Sequence, residues 1–176
     1  MEMSHATLYR HFANKDELID ALIDHQLGKA IEDTNPDLPA RVRLKELAVH
    51  LRNHFDAHPN LLKPLINGTG AGSNAFQIAK LTLDGLRELG IAPARLGHWL
   101  RVLENFVLGS IVFDYAAAPD HLEIRASRLN FLHDAGYLHR KLEPHEVALQ
   151  NEAAFDATLE ILLTAITDEV RRDAGD

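Results

Sequence analysis

Apolar residues along this chain recur mostly three and four positions apart, in blocks separated by proline, glycine and asparagine. That spacing puts them on one face of a helix, and no stretch shows the alternation of a half-buried strand. A short first helix is predicted from about Ser4 to Phe12, with Ser4 as its N-cap. Asn14 followed by Glu17 reads as a capping-box start for a longer helix to about Asp33, with Leu18, Leu22 and Ile23 on its apolar face. Beyond the break at Asn35–Pro39, Leu44, Leu47, Ala48, Leu51 and Phe55 mark a helix ending near His58-Pro59. A short apolar piece, Leu61–Ile66, precedes the loop NGTGAGSN. Ser73 is expected to cap the next helix, which carries Ile78, Leu81, Leu86 and Leu89 and stops at Gly90. Pro93 opens a helix running to about Ala117, Asp120 with Glu123 starts another that closes at Gly136, and Pro144 opens the last. In that last helix Phe155, Leu159, Leu162, Ile166 and Val170 recur at helical spacing. The predicted fold is all-α.

Two of these helices have more apolar surface than one layer of neighbours covers. From Leu96 to Tyr115 the Pro93 helix is apolar over most of its circumference, and Ile161-Leu162-Leu163 widens the face of the last helix. A helix apolar all round has to be covered all round. The economical solution is a partner chain, with both helices in a shared four-helix bundle around Gly109 and Ser110, where small side chains permit close approach. Leu159, Leu162 and Ile166 would then be the contribution of the last helix to a homodimer interface. The alternative is that both are central helices of a single chain.

Composition narrows the function. The chain has 176 residues, 46% of them hydrophobic and 25% charged, enough for one domain with a real core or a small head on a larger body. No stretch approaches the roughly 20 apolar residues of a membrane span, and no basic segment followed by an apolar run marks a signal peptide. No membrane partner is expected. Zero cysteines exclude disulfides and thiolate chemistry and fit a cytoplasmic protein. The net charge of −8 gives no global attraction to nucleic acid, so any DNA contact has to be local.

The specific signal is SHATLYRHFANKDEL. A short helix with small or polar residues at its N-terminal end can enter the major groove of DNA. Ser4, His5 and Thr7 would reach base edges or phosphates, while Tyr9, Arg10 and His11 present donors to the backbone. Lys15 adds a positive charge beside the free N–H groups of the next helix start, which also favour phosphate. Leu8 and Phe12, four apart, would anchor the short helix on its neighbour. In order and spacing, Thr7-Leu8-Tyr9-Arg10-His11-Phe12 followed by Asn14-Lys15-Asp16-Glu17-Leu18 resembles the recognition helix and following helix of the TetR family of bacterial transcriptional regulators. HPNLL, LDGLRELGI, LENFVLGSIVFD and FDATLEILLTAI resemble that family's regulatory domain.

The resemblance implies a partial DNA-binding head and connecting helix over residues 1–33, and a ligand-binding and dimerisation domain over 34–176. It also implies operator DNA and a small-molecule effector as partners. Family members carry two further helices before the recognition helix, usually with a glycine in the turn. Here Met1-Glu2-Met3 precede Ser4, and Glu2 stands where that glycine is expected. The expectation is therefore a head lacking its first two helices, with operator binding impaired. The second reading is a ligand-binding and dimerisation module that acts through protein partners.

Three other features were candidates for chemistry. Gly68 to Ser73 is glycine-rich, but it lacks the preceding strand of a dinucleotide fingerprint and the lysine of a phosphate loop, so it reads as a connection. His50, His54 and His58 recur every four residues along one side of a helix. Three collinear histidines cannot close a tetrahedral metal site alone, so no metal is expected, and His54 and His58 are instead candidates for the edge of a ligand pocket. On the Pro93 helix, His98, Arg101 and Asn105 share one side with Trp99 close by. Polar groups on an apolar helix need partners, which a ligand or internal hydrogen bonds would supply. His98, Trp99 and Asn105 join the pocket candidates. Tetracycline-sensing members place a metal-coordinating His just before a Gly-Thr in the corresponding loop. Ile66 stands there ahead of Gly68-Thr69, so a tetracycline–magnesium ligand is not expected. No catalytic residues and no cofactor are assigned, and the protein is not expected to be an enzyme.

Overall fold

The computed structural model describes residues 12–67, 72–113, 121–173 and 175, and among them every regular element is helical. They are α1 (Lys15–Asp33), α2 (Ala40–Ala57), α3 (Leu62–Asn67), α4 (Ser73–Glu88), α5 (Leu96–Phe113), α6 (His121–Asp134) and α7 (Pro144–Asp173). Short 3-10 turns at Pro59–Leu61 and Pro93–Arg95 lead into α3 and α5. Proline opens each turn because its fixed φ suits the first position and its missing N–H is not needed there.

The start of α1 is a variant of the capping box, in which Glu17 reaches the residue before the N-cap Asn14. The Asn14 side chain accepts from the Glu17 N–H at 2.8 Å, and the Glu17 carboxylate accepts from the Ala13 N–H. At the other end the Thr34 hydroxyl donates to the Ala30 carbonyl at 2.7 Å. Gly90 ends α4 at φ +97°, with the Ile91 N–H donating back to the Leu86 carbonyl at 3.1 Å. A side chain would resist that left-handed conformation, and burial of Ile91 completes the motif.

Ser73 does not cap α4. It is already the first helical residue, and Gly72 at the cap position has no side chain to offer. The cap comes from another helix: the Asp24 carboxylate of α1 accepts from the Asn74 N–H at 2.9 Å. Asp120, the expected cap of α6, and the expected continuation of α5 past Phe113 lie outside the described residues.

The main core joins α1, α2, α4, α5 and α7. Phe55, Leu86, Ile111, Leu159, Leu163 and Ile166 are at most 1% exposed within this one chain. The buried line of α7 thus runs through Leu163, while Leu162 is only partly buried and Ile161 is exposed. At the junction of α2, α5 and α7 the rings of Phe106 and Phe155 stack at 5.0 Å, and the Arg52 guanidinium lies 4.6 Å from the Phe155 centroid. Glu160 of α7 accepts from Arg41 and Lys45 of α2, both at 2.7 Å. Arg95 makes two hydrogen bonds to Glu169, at 2.9 and 3.1 Å. A second, smaller core sits between α6 and α7, where Asn130 accepts from the Leu142 N–H and donates to its carbonyl.

Leu163→Ala should cost about 2–5 kcal/mol by removing a fully buried side chain, read as a lower midpoint in thermal or urea unfolding. Hydrogen bonds from Lys45 and Arg41 hold the Glu160 carboxyl below its ordinary value of 4.5. Such a group stabilises the fold above the unfolded-state pKa, and that contribution is lost as pH falls through the lowered folded value. Because the pair is substantially exposed, Glu160→Gln should lower Tm at neutral pH by no more than about 2–4 °C. The difference from wild type should then close in acid, which thermal melts across a pH series would show.

Candidate ligand-binding site

A cavity of about 770 Å³ opens between α1, α2, α3, α4 and α5. Its walls follow from side-chain size. Where the facing helices carry Leu44, Leu47, Phe55 and Ile78 they fill space, but Ala48, Ala75, Thr82 and Gly109 at intervening positions do not. Well-packed cores hold few voids larger than a water molecule, and a void of this size falls in the range of small-molecule pockets. Leu27 supplies the contribution of α1, and Leu65 that of α3.

Polar groups enter mainly from α5. Arg101, Glu104 and Asn105 line that side, with Arg101 donating to Glu104 at 3.4 Å. Thr82 of α4 donates its hydroxyl hydrogen to the Ile78 carbonyl at 2.9 Å, which leaves the oxygen able to accept. The site therefore suits a molecule that is largely apolar, with hydrogen-bonding groups toward α5. Among the described residues no three His, Asp or Glu side chains converge as a metal site.

Of the pocket candidates, Asn105 lines the cavity, and Arg101 from the same helix side joins it. His54, His58, His98 and Trp99 do not line it. His54 Nε2 is 2.8 Å from the Asp33 carboxylate, tying α2 to the end of α1. His50 Nδ1 lies 3.2 Å from the Thr34 hydroxyl in the same junction. His58 falls beyond the end of α2 with φ −128° and ψ 56°, so helical spacing no longer places it on the apolar stripe, and it is exposed. His98 is exposed, with its ring edge-on to Trp99 at 5.5 Å. Trp99 is buried, and the Glu169 carboxylate is the acceptor toward which its indole N–H contributes. The hydrogen bonds from Arg95 are the principal reason the Glu169 carboxyl sits below its ordinary range.

Of the interface candidates, Leu159 and Ile166 have no exposed surface to offer, because this chain's own core consumes both. Gly109 faces the cavity, and the Ser110 hydroxyl donates to the Val107 carbonyl at 2.7 Å. Of the DNA-contact candidates, Lys15 is exposed at the first position of α1. Ser4, His5, Thr7, Tyr9, Arg10 and His11 lie outside the described residues. Periodicity missed Leu27, Ala48, Ala75 and Thr82 because apolar spacing marks burial alike for a packed core and a cavity wall. Small residues on otherwise leucine-rich faces were the available signal.

No curated protein matches the chain. Solved structures with this fold include the TetR regulator SCO7222 from Streptomyces coelicolor, at TM-score 0.71 and 21% identity, over 94% of this chain and 83% of that one. The Streptomyces coelicolor TetR family protein ActR in complex with actinorhodin gives TM-score 0.67 and 23% identity, over 96% and 83%. BioQ with its double-stranded DNA operator gives TM-score 0.55 and 27% identity, over 78% and 80%. The family model described as tetracyclin repressor-like, C-terminal domain, matches residues 35–170. This chain belongs to that family, the TetR-type regulators of transcription.

Proposed function

We propose that the protein is a homodimeric regulator whose 770 Å³ cavity binds a largely apolar effector and whose segment Ser4–Lys15 contacts operator DNA. One observation carries this reading: the cavity takes part of its wall from α1, the helix that continues directly from the segment resembling a recognition helix. An effector that spreads this wall moves the base on which the DNA-contacting residues stand. Differential affinity for the two arrangements then converts effector binding into a change in fit to DNA half-sites. The solved complexes of ActR with actinorhodin and of BioQ with its operator support both halves of the reading by likeness of fold. Homodimerisation belongs to it as well. Ser110 and Leu162 keep accessible surface for a partner, and Ile161, 66% exposed on α7, joins them.

Fluorescence anisotropy with the DNA flanking the protein's own gene, across a salt series, tests the DNA half. Association should weaken steeply with salt, and Lys15→Ala should reduce the slope of log K against log salt by about 0.9 if that side chain meets a phosphate. No salt-dependent association would remove the operator reading. Ala48→Phe places a ring in the cavity and should weaken binding of an apolar fluorescent dye at least about tenfold while leaving the helical fold intact. Unchanged dye affinity would show that the dye binds elsewhere.

A further inference from the structure

The cavity between α1, α2, α3, α4 and α5 carries a single pair of charges. Among the described residues its lining side chains are apolar except for Thr82, Arg101, Glu104 and Asn105. Arg101 and Glu104 stand three residues apart on α5 and pair with each other at 3.4 Å. The lining therefore has no net charge, although it belongs to a chain of net charge −8. Thr82 adds none, and its hydroxyl hydrogen is already engaged with the Ile78 carbonyl at 2.9 Å. Apart from Thr82, polar character is confined to one stretch of α5, from Arg101 to Asn105.

Each member of the pair opposes one class of ligand. A carboxylate drawn to the Arg101 guanidinium comes close to Glu104, because the two side chains are in contact. An ammonium drawn to Glu104 meets Arg101 in the same way. Attraction to one and repulsion from the other nearly cancel, so an ion gains little to offset the water it gives up beside an apolar wall. An uncharged group with both a donor and an acceptor loses less and fits all three side chains. Its carbonyl can accept from Arg101, its N–H or O–H can donate to Glu104, and the Asn105 amide can do either. The pair is also loose enough to admit such a group. A separation of 3.4 Å is long for a charge-assisted hydrogen bond, and the Arg101 side chain is 72% exposed.

We propose that Arg101 and Glu104 make the cavity selective for an uncharged amphiphile, against carboxylates and amines of the same shape. Such a molecule has an apolar body and one polar end that both donates and accepts, as a carboxamide does. The assignment rests on the ligand reading of the cavity. The polar end lies against Arg101, Glu104 and Asn105, and the body lies along Phe55, Ile78 and Ile111. The two charged residues act as a couple. Removing either one leaves the other as an unbalanced charge, and the site then favours the opposite ion.

Decanamide, decanoate and decylammonium share one apolar chain and differ in the charge of the head. Their affinities near neutral pH are measured by calorimetry and by displacement of the uncharged dye Nile red. In the unaltered protein decanamide should bind at least about fivefold tighter than either ion. Glu104→Gln should move the affinity ratio of the two ions about tenfold toward decanoate, and Arg101→Gln about tenfold toward decylammonium. The double variant should return the ratio close to that of the unaltered protein, with circular dichroism verifying that all three variants remain helical. A merely apolar cavity would also favour decanamide, but it would leave the ratio of the ions unmoved by either substitution. The assignment is overturned if either ion binds the unaltered protein as tightly as decanamide, or if both single variants keep the original ratio. Ala48→Phe should weaken all three probes together. Binding that Ala48→Phe leaves unchanged, or no binding by any of the three, would instead remove the ligand reading and this assignment with it.

Discussion

The arrangement depends on how α5 divides its circumference. One side carries Leu96, Trp99, Leu103, Val107 and Ile111, all at most 7% exposed, and packs into the shared core, with Leu103, Val107 and Ile111 also reaching the cavity wall. The side carrying Arg101, Asn105, Leu108 and Val112 borders the cavity and stays accessible. A helix with a single apolar stripe would have given either a closed core or an exposed surface. Because its buried side reaches the cavity as well as the core, α5 can pack against α7 and still leave part of an apolar wall unoccupied. The cost of that empty wall is offset elsewhere, above all by Leu159, Leu163 and Ile166, which are fully buried along α7.

Different interactions hold α1 and α7 in place. α7 is fixed to its neighbours by burial, by Glu160 with Arg41 and Lys45, and by Glu169 with Arg95. α1 is fixed by burial of Ile23, Leu27 and Ala30 and by polar contacts concentrated at its middle and its C-terminal end.

Much of the fold was legible because it rests on local signals. Asn14 and Glu17 marked a helix start, Gly90 a helix end, and Pro93 and Pro144 the openings of α5 and α7, each through backbone chemistry that needs no partner. Where a distant residue supplied the chemistry, local reasoning failed. Ser73 read as a cap, but the acceptor is Asp24, 50 positions away from Asn74 in sequence. His58 read as part of a stripe, but the helix stops one residue earlier. Leu159 and Ile166 read as a partner's contact surface, because periodicity tells that a face is buried and not what buries it. The cavity was the least legible feature, since alanine and threonine on an apolar face signal nothing until the opposite wall is known.

Trp99 gives one of these arrangements an optical consequence. It is the chain's only tryptophan, buried beside Glu169 and His98 and set apart from the cavity lining. A molecule entering the cavity does not meet the indole, so direct contact quenching is not how its emission changes. The emission instead registers whether α5 and α7 keep their mutual placement, through the distance of the Glu169 carboxylate from the ring. Intrinsic fluorescence in this protein thus reports a bound molecule through space or through α5, and not by contact with the indole.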